Sequence, residues 1–168
     1  MGRGATKAQG NVWYQARLEA AKGNERLFSR FGAAEEMGLS EDAVKSAELG
    51  LYKCMPVENA VLMADCYNAP ELKNYYCLNE CPIGCNRPIS AKDVGIDRVT
   101  VKLLSLLEPE DIRWLRSKLL VVAGDGTITK DEIPAVNELF DRLDDIETAI
   151  SELRIVGEKA KKGCEQDG

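Results

Sequence analysis

The sequence predicts an all-α protein, with an N-terminal five-helix domain followed by a C-terminal three-helix segment. Three observations predict it. Residues 29–50, SRFGAAEEMGLSEDAVKSAELG, read as two short helices joined by a tight turn. Apolar residues recur at helical spacing through 57–67 and again through 96–122. Residues 136–153 place apolar side chains at alternating steps of three and four.

Taken in order, residues 1–11 contain three glycines and no large apolar residue, and read as a flexible arm. Val12, Ala16 and Ala20 form the stripe of a first helix over 12–22, flanked by Trp13 and Ala21, which Gly23-Asn24 ends. Leu27-Phe28 precede the capping Ser29 in the manner of a hydrophobic staple. Ala33, Ala34 and Met37 then give the second helix one small, apolar face. Gly38 ends it, because glycine enters the left-handed region without steric penalty. Leu39 plugs the angle between the two helices, and Ser40 caps the third. Ala43, Val44 and Ala47 continue the buried face, while Glu41, Asp42, Lys45 and Ser46 point outward.

The fourth helix spans 57–67. Its stripes, Val57-Ala60-Val61-Ala64-Tyr67 and Leu62-Met63-Cys66, are apolar on both sides, which predicts a central, buried element. Asn68-Ala69 break it, and Pro70 opens a fifth helix through Tyr76. Residues 77–95 are dense in Cys, Pro and Gly and read as a linker. A helix over 96–107 follows, with Val99, Leu103 and Leu106 on one face. The next starts at Pro109 with the stripe Ile112, Leu115, Leu119 and Val122, and ends at Gly124. The last runs over 132–162, capped by Asp131. Its seam, Val136, Leu139, Leu143, Ile146, Ile150 and Leu153, could pair across a dimer axis or pack on the two preceding helices. Internal packing suffices at this length.

A small residue in one helix, glycine in the turn and an apolar residue midway along the next let two helices cross closely at a steep angle. On these residues the chain resembles the helix-turn-helix of Cro/phage-repressor-type transcription regulators, the xenobiotic-response-element group. Glu48-Leu49-Gly50 stands where that family usually has Glu-Arg-Gly, and the resemblance covers residues 12–72. It implies a repressor-like helix-turn-helix domain that binds double-stranded DNA as a sequence-specific transcription regulator. By position, Ser40, Glu41, Asp42, Lys45 and Ser46 would face base edges or nearby phosphates. Arg30 would meet the backbone or a guanine, and Arg17 a phosphate. Lys45 is the leading base reader, since a cationic donor reaches guanine acceptors. Leu49 departs from the family's arginine, and Glu41 and Asp42 bring negative charge toward phosphate. Two half-site readers joined as a homodimer through the C-terminal helices would offset that loss.

The layout is then an arm (1–11), a helix-turn-helix DNA-binding domain (12–76), a Cys-rich linker (77–95), a helical oligomerisation or partner-binding segment (96–162) and a flexible tail (163–168). Net charge is −6, which argues against coating nucleic acid non-specifically. Its distribution is uneven: residues 1–30 hold six Lys/Arg against two Asp/Glu, and the remainder sixteen against twenty-six. A basic front on an acidic body can still hold DNA on one face. The longest apolar run, residues 119–123, is far short of the ~20 residues a membrane span needs. A cytoplasmic chain without membrane contact is expected.

Histidine is absent and cysteine numbers six. Histidine-dependent triads are therefore excluded, and no nucleophile–base or phosphate-loop arrangement points to an enzyme. Cys77, Cys81 and Cys85 recur every four residues, and Cys81-Pro82 is similar to the Cys-Pro that accompanies iron–sulfur ligands. An Fe–S cluster or zinc would need a further ligand such as Cys54 or Cys66, and zinc sites usually space their cysteines by two residues rather than three. Residues 125–129 with Glu132 match the latter half of a calcium loop. The first ligand positions fall on Val121 and Ala123, so no calcium is expected. The acidic run 141–145 reads as a solvated helix face. Two further readings stay open: a helical protein-interaction module without DNA binding, and a Cys-based metal- or redox-sensing regulator.

Overall fold

The computed structural model describes residues 7–85, 87–122, 124 and 127–166. Among them are eight α-helices and no strand. They fall into two compact units: Met1–Asn86 with Glu158–Gly168, and Arg87–Gly157.

In the first unit, α1 (Val12–Ala20) is capped by Asn11, whose side chain accepts from the amides of Trp13 and Tyr14 at 2.9 and 3.3 Å. The same Asn11 donates to the Ala47 carbonyl at 3.0 Å. A 3-10 turn, Glu25–Phe28, leads into α2 (Arg30–Met37), capped by Ser29 through the Gly32 amide. α3 (Glu41–Glu48) is capped by Ser40 through the Ala43 amide. α4 (Val57–Cys66) and α5 (Glu71–Asn79) complete the unit, together with the end of α8.

Three helix ends close alike. Gly38, Gly50 and Asn68 have φ of 66°, 63° and 49°. The following amides, Leu39, Leu51 and Ala69, reach back to the carbonyls of Ala34, Ser46 and Ala64. This left-handed closure satisfies terminal carbonyls and turns the chain sharply. It sets α2 against α3 and α4 against α5. The core between them contains Trp13, Leu27, Ala33, Val44, Met55 and Met63, with Tyr75 set edge-on to Trp13 at 6.1 Å.

Several expectations change. Residues 1–6 of the expected arm lie outside the described residues, but Ala8 is buried and the Gln9 carbonyl accepts from Gln15, so the chain packs before α1 begins. Phe28 is exposed, and Leu27 alone anchors the turn. α4 is not buried on both sides. Ala60, Met63 and Ala64 face inward, whereas Val57, Val61 and Leu62 meet solvent, because α4's close neighbours are α2 and α5.

The second unit holds α6 (Ile96–Leu106), α7 (Pro109–Val122) and the first part of α8 (Ile133–Gln166). Val99 and Leu106 are buried as expected. Of the α7 stripe only Leu115 is buried, and Ile112 and Leu119 are exposed, because no second element packs closely over them. Polar ties join them. Lys102 meets Glu152 at 3.1 Å, Asp111 meets Arg142 at 2.6 Å, and Lys118 meets Glu138 at 3.0 Å. The Ser90 amide and the Pro88 carbonyl bond Ser151 and Thr148 of α8.

α8 continues to Gln166, where a tail was expected. From Glu158 onward it belongs to the first unit, where Lys159 pairs with Glu71 and Lys162 with Asp65. Asp125 and Gly126 of the calcium-like loop lie outside the described residues, and Glu132 accepts from the Thr129 amide and hydroxyl at 2.8 Å. Among the described residues no helix is long and apolar enough to cross a membrane.

Candidate nucleic-acid interface

The interface is built outward from a buried ion pair. Arg17 on α1 and Glu48 at the end of α3 are 3% and 1% exposed, with Arg17 Nε 2.5 Å from Glu48 Oε1. Arg17 Nη1 donates to the carbonyls of Leu27 and Phe28 at 2.8 and 2.9 Å, and its Nη2 reaches Glu48 Oε2 at 3.3 Å. One guanidinium thus ties together α1, the 3-10 turn before α2, and α3. Desolvating two charges is costly, and this geometry offsets the cost by giving nearly every donor an acceptor.

Arg17 was expected to meet phosphate. Its burial removes it from any surface contact, and its role becomes that of a positioning residue. Glu48 went unrecognised for its part. Its type was visible in Glu48-Leu49-Gly50, but its partner lies 31 residues earlier, beyond any helical period.

Arg30, at the first position of α2, is 29% exposed, and its Nε donates to Glu48 Oε2 at 2.7 Å. Glu48 therefore orients two arginines, one inside and one at the edge. The Nη groups of Arg30 carry no hydrogen bond among the described residues, so its outer edge is free to donate. Planar guanidinium donors suit phosphate oxygens or the guanine edge.

On α3, Ser40, Glu41, Asp42 and Lys45 are exposed and Ser46 half-buried, as the outward set requires. Lys45 Nζ stands 3.8 Å from Asp42 Oδ1, an exposed contact worth little and easily broken. Glu41 and Asp42 occupy the first turn, where carboxylates suit the helix dipole. Toward a duplex they repel phosphate but can accept from the cytosine amino group. Arg26, which is also close by, is spent on Glu35 and Glu36.

Cys77 and Cys81 are half-buried against the first unit's core, whereas Cys85 is exposed with Sγ 3.4 Å from the Pro82 carbonyl. Among the described residues no group of three or more Cys, Asp or Glu is placed to hold a metal ion. The linker is shaped by close packing instead, since a Cβ at Gly84 would stand 2.6 Å from the Cys77 carbonyl oxygen. Burial, and then the Glu36 carboxylate, push the Cys66 thiol up, which makes it a poor nucleophile.

Comparison with protein-family models, with curated proteins and with solved structures finds no match to this chain.

Proposed function

We propose that the chain is a sequence-specific, double-stranded DNA-binding transcription regulator with a repressor-like helix-turn-helix formed by α2 and α3. One observation carries the reading: the outer side of α3 is open to solvent beside an arginine whose free edge is aimed outward. Ser40, Glu41, Asp42, Lys45 and Ser46 would read base edges, and Arg30 would fix the register on the backbone. Arg17 and Glu48 would hold the two helices at the angle that a major groove accepts.

The test is selection from random duplexes at two salt concentrations with reduced protein. A defined motif should emerge, and Lys45→Ala should change the preferred base at one position while leaving others intact. Equal weakening on every sequence would remove Lys45 from the base-reading set. No enrichment of any duplex at low salt would sink the proposal and favour a protein-interaction module, to which the exposed Glu41 and Asp42 are equally suited.

A further inference from the structure

The loop between α3 and α4 is fastened to the end of α5, and a cysteine stands on each side of the seam. The Met55 amide donates to Glu80 Oε2 at 3.2 Å, and the Tyr76 hydroxyl donates to the Met55 carbonyl at 3.0 Å. Met55 is buried, whereas Cys54 just before it is exposed, with Sγ 3.8 Å from the Glu80 carbonyl oxygen. Cys81 follows Glu80 directly and is fixed through its backbone. Its amide donates to the Tyr76 carbonyl at 3.0 Å, and its carbonyl accepts from the Cys85 amide at 3.2 Å.

Covalent geometry bounds the gap between the two thiols. A peptide oxygen lies about 2.8 Å from the next Cα, so Cys54 Sγ is within about 6.6 Å of the Cys81 Cα. A disulfide needs roughly 4 Å there. One rotamer change swings a cysteine sulfur by about 3 Å, so side-chain rotation spans the difference. The Tyr76 phenol senses both sulfurs: burial, and then Cys54 and Cys81 beside it, hold it above its ordinary value of 10.0. The neighbouring thiols are placed otherwise. Cys77 lies under the following turn, where a Cβ on Gly84 would stand 2.9 Å from the Cys77 Cβ, and Cys85 Sγ is turned to the Pro82 carbonyl.

We propose that Cys54 and Cys81 are an oxidation site for hydroperoxides, closing into a reversible disulfide that ties the α3–α4 loop to the end of α5. Cys54, being exposed, meets the oxidant first. Its sulfur attacks one peroxide oxygen, the O–O bond breaks, and the leaving hydroxide takes the thiol proton as water. The Cys81 sulfur then attacks the Cys54 sulfur of this sulfenic acid. The S–O bond breaks, and hydroxide leaves with the Cys81 proton as a second water. Two thiols have given up two electrons, and the peroxide has been reduced to two waters. A small thiol reverses the bond by exchange. Cys77 and Cys85 take no part, and the inference stands whether or not the chain binds DNA.

The experiment treats dilute, reduced, full-length protein with hydrogen peroxide and maps the products by mass spectrometry. Cleavage after Lys53, Glu58 and Glu80 separates Cys54, and Cys77 from Cys81. The expected product has lost the mass of two hydrogens, joins the Cys54 peptide to the Cys81 peptide, and reverts with dithiothreitol. It should unfold at higher urea than the reduced protein, because the cross-link restricts the unfolded chain. Cys77→Ser/Cys85→Ser should keep the cross-link. Cys54→Ser, on the exposed loop, should abolish it. Cys81→Ser, with its fold checked by circular dichroism, should leave Cys54 as a sulfenic acid that dimedone traps. Cys81 joined to Cys77 or Cys85 overturns the proposal, as does Cys54 joined to another copy. Oxygen gained by Cys54 while Cys81 stays a thiol overturns it too, as does a protein that peroxide leaves unchanged.

Discussion

Glu48 is the residue on which the first unit is most sensitive. It accepts from Arg17 and Arg30 at 1% exposure, so removing its carboxylate strands a buried guanidinium. Glu48→Ala should cost about 3–5 kcal/mol in urea unfolding, and a loss under about 1 kcal/mol, the worth of one ordinary hydrogen bond, would show that Arg17 is not held as described. Tyr67 behaves oppositely. Its hydroxyl is buried with no hydrogen-bond partner among the described residues. Burial, and then the Glu48 carboxylate, hold the phenol above its ordinary value of 10.0, against the opposing pull of Arg17. A raised folded value means that the group's stability is intact below pH 10 and is lost as pH climbs beyond it. Tyr67→Phe should therefore be neutral or stabilising by about 1 kcal/mol at neutral pH and should flatten the alkaline limb of a stability–pH curve. Marked destabilisation at neutral pH would mean that the hydroxyl has a partner after all.

The elements are set by closures and close approaches of different kinds. Gly38 has a φ of 66° and open space around it, so Gly38→Ala meets only a backbone penalty of about 1–2 kcal/mol. Gly32 sits inside α2, where a Cβ would overlap the Arg26 carbonyl oxygen. Gly32→Ala should cost about 1–3 kcal/mol by pushing the 3-10 turn away from α2, and thermal melts of the two variants should rank them in that order. The end of α8 is held by charge. Asp65 receives Lys162 and Lys73 at 2.9 and 3.0 Å. Partial burial raises its carboxyl, but these two lysines outweigh it and leave the group below its ordinary 3.8. A lowered value contributes stability above about pH 4, lost as pH falls through the folded value. The effect is small at this exposure. Asp65→Asn should soften the acid limb of the same curve without moving its centre, and an unchanged acid limb would count against the clasp.

At the scale of the whole molecule, charge decides how DNA could be held. The basic excess of residues 1–30 loses Arg17 to the interior and Arg26 to Glu35 and Glu36. Among the described residues Lys7, Lys22 and Arg30 remain of that set, with Lys45 on α3, and of these Arg30 and Lys45 stand beside the proposed reading face. The dependence of affinity on salt should be correspondingly shallow, and Arg30→Gln should lower the slope of log K against log salt by about 1. A steep slope unaffected by Arg30→Gln would place the duplex elsewhere on the molecule. Counting charges along the chain could not reveal this, because whether an arginine reaches solvent depends on what packs over it.

Most helix positions and several of their ends were legible in the residues alone, although α5 and α8 run on past the ends expected for them. Ser29, Gly38, Ser40, Gly50 and Asn68 act within one turn of themselves, so the capping and left-handed closures they produce follow from short stretches of sequence. The outward set on α3 followed from the same 3.6-residue period. What each apolar stripe covers was not legible. Leu62, Ile112 and Leu119 look like core residues by period, yet they meet solvent because burial requires a second element to arrive. The fate of Arg17 came from the same cause. Local sequence determines which helix a side chain belongs to and which way it points; only the tertiary structure decides what stands opposite, because that partner is brought from distant parts of the chain by the packing of the whole.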